Sequence, residues 1–246
     1  MIKYTINKHY INFKDFLLDI KKYFEEDCNT IHKARNELKI INYGAKDTVV
    51  KSFKIPHPLN RIVYSFFRSS KAKKSYNYSL KLEDFTPKPI GYIEFYSSFL
   101  LKESYFVSEK FDYDFTIREP LLDDNFKDKK EILKAFARFT LQLHNANIFH
   151  KDYSPGNILI KKDKGNYIFK IVDINRMGFF KLSIDDRAKN FSKLWARDDE
   201  LEIIATEYQK HFDATDDFIQ KVCFYSNKNK KIKNFKKRLK GKKVND

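Results

Sequence analysis

The sequence predicts an α+β protein of two lobes: a small β-rich N-terminal lobe over residues 1–110, a mainly helical C-terminal lobe over 111–226, and a basic tail over 227–246. Three observations carry this expectation. Short strand-like runs bounded by turn residues crowd the first 110 positions, and helical periodicity takes over after Lys129. Between them, residues 147–177 gather the polar side chains that could do chemistry. A chain of 246 residues can bury one large core or two smaller ones around a cleft, and 42% hydrophobic with 16% aromatic residues is too apolar for a disordered chain despite 33% charged residues.

Composition also excludes whole classes. Two cysteines, Cys28 and Cys223, make no disulfide scaffold and show no metal-ligand spacing, so a reducing cytoplasm is expected. No apolar run approaches the roughly 20 residues that span a bilayer, and MIKYTINKHY lacks the apolar core of a signal peptide. The balance of 49 Lys plus Arg against 33 Asp plus Glu, a net +16, points to a polyanionic partner: nucleic acid, an anionic membrane surface or a phosphorylated substrate.

In chain order, Phe13, Phe16, Leu17, Ile20, Tyr23 and Phe24 recur at helical spacing over residues 11–24. Asp15, Asp19, Glu25 and Glu26 dilute the positive charge of this helix, which favours packing on the fold over lying on a membrane. Strands follow over 30–33, 37–43 and 48–54. There is no GxGxxG, so if this sheet covers phosphates it uses the short turn carrying Arg35 and Asn36; otherwise that turn is structural. In the third strand Val49 and Lys51 share a face, and the Lys51 ammonium could reach the α and β phosphates of a nucleotide.

Residues 69–82 read as a helix ended by Thr86-Pro87, with Asn77 as its inward-facing polar residue, and 91–100 and 104–109 as two further strands. A long helix over 129–146 carries Ile132, Leu133, Phe136, Phe139, Leu143 and His144 on one face, His144 reading as a packed core histidine. Ser183 can cap a helix running to about Trp195, and amphipathic segments follow over 199–212 and 216–225. From 227 to 243 there are ten Lys or Arg and no acid, with Phe235 and Leu239 interspersed.

The chemistry is concentrated in NIFHKDYSPGNILIKKDKGNYIFKIVDINRM, residues 147–177, which places His150, Asp152 and Asn157 in the spacing HxDxxxxN and then Asp173 in Asp173-Ile174-Asn175. Phosphoryl transfer needs a carboxylate to meet the acceptor hydroxyl, and a second carboxylate with an amide oxygen to hold the metal ions that bridge the nucleotide phosphates. A hairpin closing over 162–166 would bring Asn157 and Asp173 to the end that carries Asp152.

HKDYSPGNILI followed by VDINRM resembles the bacterial lipopolysaccharide core kinases that phosphorylate Kdo or heptose, a branch of the protein-kinase-like fold related to the RIO kinases. The resemblance runs from about Thr30 to Trp195. It is specific at Asp152-x-Ser154-x-x-Asn157 and Asp173-Ile174-Asn175, and suggestive at TVVKSF, SKAKKSYNY, TPKPIGYIE and FARFTLQLH. It implies a two-lobed protein-kinase-like fold, ATP and Mg²⁺ as cofactors, Asp152 as catalytic base, Asn157 and Asp173 as metal ligands, and Lys51 on the ATP phosphates. It also implies a hinge around 109–112, where backbone groups of Glu109 and Phe111 would meet the adenine edge. The acceptor implied is a lipid A or core oligosaccharide, met by a cytoplasmic enzyme held peripherally at the inner face of the membrane through the basic tail.

This sequence departs from the protein-kinase pattern at four places. Ser154 stands where protein Ser/Thr kinases place a lysine, Asn175 where DFG has glycine, no APE-type segment follows Met177, and Asn77 stands where the helix glutamate is expected. The first three argue against a conventional protein kinase. The alternatives are a RIO-like Ser/Thr kinase and a nucleotide-binding pseudokinase scaffold, while a nucleic-acid module would leave Asp152, Asn157 and Asp173 unexplained and is set aside.

Overall fold

The computed structural model describes residues 1–27, 30–33, 36–53, 64–65, 67–212 and 217–241. Its contacts divide into two units, Met1–Asp112 and Tyr113–Asp246. The first is a sheet with helices on both faces, the second mainly helical around small sheets.

In the first unit six described strands form one antiparallel sheet: β1 (Ile2–Ile6), β2 (Thr30–Lys33), β3 (Asn36–Tyr43), β4 (Lys46–Phe53), β5 (Pro89–Ser97) and β6 (Leu100–Glu109), in the spatial order β1-β5-β6-β4-β3-β2. The expected strands over 30–33, 37–43 and 48–54 are present, with ends shifted by one or two residues. The expected strand over 91–100 divides differently, because Ser98 and Phe99 both have positive φ and turn the chain, which gives Leu100 to β6. β1 was not expected. Ile2, Tyr4 and Ile6 alternate with Lys3 and Thr5, but four of the five side chains are exposed, and backbone pairing with β5, from Ile2 opposite Phe95 to Ile6 opposite Gly91, makes it a strand.

The amphipathic segment after β1 is a 3₁₀ turn (Lys8–Phe13), α1 (Lys14–Leu18) and α2 (Ile20–Glu26), broken at Asp19 rather than continuous. The break preserves the stripe. Phe13, Phe16, Leu17, Ile20 and Phe24 are buried against Ile41, Val50, Ile93, Tyr105 and Val107 of the sheet, so this face packs on the fold. On the opposite sheet face α3 (Lys71–Leu82), capped by the Ser70 hydroxyl accepting from Lys73 N–H at 3.0 Å, packs Ala72 and Tyr76 against Phe53, Tyr92 and Phe106. Strand alternation explains the sorting: Val50 and Phe53, three residues apart, point to opposite faces.

The second unit begins with β7 (Phe115–Thr116) and α4 (Arg118–Leu122), then α5 (Lys129–Asn145), β8 (Ile148–His150), a 3₁₀ turn (Pro155–Asn157), β9 (Ile158–Asp163), β10 (Asn166–Ile171) and β11 (Met177–Phe179). β10, β9 and β7 form one antiparallel sheet and β11 pairs with β8. The β9–β10 hairpin turns at Lys164 and Gly165, both at positive φ, as expected for a closure over 162–166. α6 (Ile184–Phe191), α7 (Asp198–Gln209) and α8 (Phe218–Arg238) complete the unit. Ser183 caps α6 in a capping box with Asp186. Tyr153, Phe136, Phe139 and Phe169 form an aromatic core beneath the 147–177 stretch.

The basic tail is not an appendage. The helix expected over 216–225 continues to Arg238, anchored by buried Phe218, Val222 and Ser226 and by bonds beyond residue 227: Asn229 Nδ2 to Ser192 O at 2.8 Å and Lys230 Nζ to Ala196 O at 2.7 Å. No helix among the described residues is long and apolar enough to cross a membrane.

Candidate active site

The stretch expected to carry chemistry is knitted by backbone bonds before any side chain acts. Val172 N–H donates to Asn157 O at 2.9 Å, closing the β9–β10 hairpin so that Asn157 and the residue before Asp173 sit side by side, and Lys151 N–H donates to Arg176 O at 3.1 Å. His150, only 1% exposed, locks the two halves. Its Nε2–H donates to Val172 O at 3.0 Å and its Nδ1 accepts from Asp152 N–H at 3.0 Å, an arrangement that requires the neutral ring. Burial pushes its pKa below the ordinary value and so favours that form.

The residues expected as base and metal ligands thus lie on one loop whose halves are tied by backbone bonds. Asn157 Nδ2 donates to Asp152 O at 2.9 Å, which ties the amide nitrogen to the loop backbone; its carbonyl oxygen is the atom a hard cation would take. Asp173 has φ 55, the left-handed region that a non-glycine residue occupies at a cost, and its Oδ1 accepts from Asn175 Nδ2 at 2.5 Å. Asn175, which replaces a glycine of the protein-kinase pattern, thus orients the carboxylate. One carboxylate and one amide oxygen suit Mg²⁺, which keeps water and phosphate oxygens as its other ligands; no group of three or more His, Cys, Asp or Glu among the described residues offers an all-protein cage.

Two features here were not expected. Arg176 ion-pairs with Asp152 Oδ2, the guanidinium 62% and the carboxylate 34% exposed. Beneath the loop runs a buried relay: Arg187 Nη1–H donates to Tyr208 Oη at 2.7 Å, Tyr208 O–H to His144 Nδ1 at 2.9 Å, His144 Nε2–H to Asn190 Oδ1 at 3.0 Å, and Asn190 Nδ2–H to His150 O at 2.9 Å. Burial, with the Arg187 charge, pushes His144 down to about 4, so the ring stays neutral and this direction of bonding is kept. Its fully buried position agrees with the packed histidine expected from α5.

In the first unit Lys51 lies on β4 opposite Phe106, on the sheet face that carries Phe53 and α3, with its ammonium 5.4 Å from the Phe53 ring. The expected companion is not there. Asn77 is exposed; the inward face of α3 is Ala72, Ser75, Tyr76, Ser79 and Leu82, and Glu83 beyond it is exposed too. Helical spacing through Ala72 and Tyr76 forces Asn77 outward, which corrects the sequence reading. A buried carboxylate does lie in this unit, on β5: Glu94, 3% exposed, accepts from Tyr96 Oη at 2.9 Å.

At residues 109–112 Glu109 N–H already donates to Lys88 O at 2.9 Å, and its side chain pairs with Lys46. Burial raises the Glu109 carboxyl, but Lys46 and the Tyr10 hydroxyl outweigh it and hold it below its ordinary value. Phe111 is half-buried just before the division between the units. Asn36 is not a turn residue but the first residue of β3, opposite Phe53, and Arg35 lies outside the described residues.

The model of the lipopolysaccharide kinase (Kdo/WaaP) family matches residues 86–212, from β5 through α7, and so includes the whole knitted loop. The chain belongs to the lipopolysaccharide kinase (Kdo/WaaP) family. A solved structure described as WaaP in complex with acyl carrier protein shares the fold at TM-score 0.60 and 13% identity, covering 94% of this chain and 99% of that one. No curated protein matches the sequence. Membership makes this Kdo/WaaP-family protein a phosphotransferase of lipopolysaccharide core biosynthesis, and a kinase family implies the use of ATP, normally with a divalent metal. The β-rich first unit and helical second unit agree with the WaaP fold.

Proposed function

We propose that this kinase transfers the γ-phosphoryl group of ATP to a sugar hydroxyl, of Kdo or heptose, on the lipopolysaccharide inner core or its lipid A precursor. The observation that supports the reading is the Asp152–Asn157–Val172 network, in which Asn157 bonds to Asp152 O and Val172, the residue before Asp173, bonds to Asn157 O, with the Asp152 side chain 34% exposed. Asp152 accepts the hydroxyl proton as the sugar oxygen bonds to the γ-phosphorus; the bond from that phosphorus to the β–γ bridging oxygen breaks, and ADP leaves. Asp173 and Asn157 would hold Mg²⁺, whose charge neutralises the phosphates. Lys51 is assigned to the α and β phosphates, and the carbonyl of Glu109 with the N–H of Phe111 to adenine.

Association with an anionic membrane surface at the cytoplasmic face belongs to the same reading. Exposed Ile232, Phe235 and Leu239 fall on one stripe of α8 among its lysines, a basic amphipathic pattern. One observation favours a second reading, a nucleotide-binding scaffold without turnover: α3 carries no acid to pair with a strand lysine.

Purified full-length protein offered labelled ATP with Kdo-lipid A, heptosylated lipid A or a generic protein separates these. Phosphate should appear on a sugar acceptor, and Asp152→Ala should lower the rate at least about 10²-fold while Mg·ATP still binds. Transfer to protein alone, binding without turnover, or an Asp152→Ala rate equal to the parent's would each overturn the reading.

A further inference from the structure

The connection from β10 to β11 includes Asp173-Ile174-Asn175-Arg176, and its buried member, Ile174, is 3% exposed and pins it to the fold. The polar residues that follow Ile174 each reach a carboxylate. Asn175 Nδ2 donates to Asp173 Oδ1, and Arg176 Nη2 donates to Asp152 Oδ2. Backbone pairing sets the second contact. β11 pairs with β8 so that Met177 stands opposite His150, Arg176 O accepts from Lys151 N–H at 3.1 Å, and Asp152 is the next residue along. The main chain of Asp152 is held at both ends: its N–H donates to His150 Nδ1 at 3.0 Å, and its O accepts from Ser154 N–H at 2.7 Å and Asn157 Nδ2 at 2.9 Å. Its side chain has one tether. Among the described residues Arg176 alone hydrogen-bonds the carboxylate, and Oδ1 is left open.

A guanidinium and a carboxylate often pair through two parallel bonds, whereas here one N–H meets one oxygen. Ion pairs exposed to water add little to stability, and this one, with the guanidinium 62% and the carboxylate 34% exposed, is of that kind. Its consequence is geometric. The terminal torsion of an aspartate is broad and roughly two-fold, so without a tether the two oxygens exchange places freely. We infer that Arg176 is a positioning residue for the transfer step, holding Asp152 Oδ2 so that Oδ1 is the oxygen that takes the proton of the acceptor hydroxyl. The inference rests on the proposed sugar-kinase reading and deepens it. The proton passes from the sugar hydroxyl to Oδ1 as the sugar oxygen bonds to the γ-phosphorus and ADP leaves, and Arg176 neither gains nor loses one. One short connection would then orient both carboxylates of the reaction, Asp173 through Asn175 and Asp152 through Arg176.

The test is a mutant cycle on the full chain with Mg·ATP and the lipid A sugar acceptor that the parent phosphorylates. The proteins compared are the parent, Arg176→Ala, Arg176→Lys, Asp152→Ala and the Asp152→Ala/Arg176→Ala double variant. Arg176→Ala should lower kcat about ten- to a hundredfold, with KM for ATP and the melting temperature unchanged. Arg176→Lys should regain part of that rate, because an ammonium still meets one oxygen as a point charge. In the Asp152→Ala background, Arg176→Ala should cost nothing further, as holds for a residue that acts only through Asp152. A structural role would instead lower the rate equally in both backgrounds. An Arg176→Ala kcat equal to the parent's overturns the inference and leaves the sugar-kinase reading standing. Equal losses with and without the Asp152 carboxylate also overturn it, and would assign Arg176 to the substrate or to the fold. No turnover by the parent on any sugar acceptor overturns the sugar-kinase reading, and the inference with it.

Discussion

The side chain of Asn190 donates to the backbone carbonyl of His150 across 2.9 Å, tying α6 to the strand that delivers Asp152. Its other end accepts from His144, so Asn190→Ala leaves both His150 O and His144 Nε2–H without a partner. Each buried polar group so orphaned costs about 1–3 kcal/mol. Urea unfolding should show the loss, and kcat should fall with little change in KM for ATP; unchanged stability would show that water replaces the side chain.

Acid should act through the same relay. His144 has its pKa lowered from 6.5 to about 4, so the unfolded chain binds the proton first, and the stabilisation is complete above pH 6.5 and is lost as pH falls toward 4. The size is on the order of 3 kcal/mol from that depression. Urea midpoints between pH 7.5 and 4.5 should fall less steeply in His144→Gln than in the parent. Parallel curves would assign the acid loss to carboxylates alone.

Asp173→Ala and Asn157→Ala should weaken Mg-dependent nucleotide binding, read by calorimetry with and without chelator, about tenfold or more. Asp173→Gly should do the same while raising the melting temperature, because the φ of 55 is strained only for a side-chain-bearing residue. An Asp173→Gly protein less stable than the parent would mean that the carboxylate contributes more to the fold than the backbone strain removes.

Asn77→Glu should leave KM and kcat for ATP within a factor of about two, because an exposed side chain on α3 has no route to Lys51. A large gain in either constant would return Asn77 to the inward face.

Vesicle binding separates charge from packing on α8. Replacing exposed Phe235 and Leu239 by serine should weaken sedimentation with anionic vesicles at least about tenfold and leave the melting temperature unchanged, since neither side chain is buried. Deleting residues 227–246 should also lower stability, because the bonds from Asn229 and Lys230 go with it. Unaltered sedimentation of the serine variant would move the membrane contact elsewhere.

Much of this was legible in the chain because it is written in local patterns. Alternation between turn residues yields β3 and β4, and the linked offsets of His150, Asp152, Asn157 and Asp173 locate the loop. What was not legible depends on partners far away in sequence. β1 is held by its pairing with β5, and the Ile2 and Tyr4 of its alternating pattern stay exposed. Arg176 and Asn190 look like ordinary surface polar residues until Asp152 and His150 are placed against them. Analogy with a kinase helix points to Asn77, whereas the inward face of α3 includes Ala72, Ser75 and Ser79, small residues that carry little hydrophobic signal.

Gly91 shows how closely β1 and β5 are fitted: a methyl group there would lie 2.8 Å from both Thr5 O and Leu17 Cδ2. Gly91→Ala should therefore destabilise the protein by about 1–3 kcal/mol, visible as a lowered melting temperature.

The uninterrupted positive charge of α8 has a mechanical side as well. Lys233 has Lys236 and Lys237 as neighbours one turn on in the last turns, and each such pair opposes the helix by a few tenths of a kcal/mol. The negative end of the backbone dipole offsets part of that repulsion, and dissolved ions the rest. The end of this helix should therefore wind up as counterions gather and fray as they thin out. A polyanionic surface would then lengthen the very segment that meets it, and circular dichroism across a salt series would record the change.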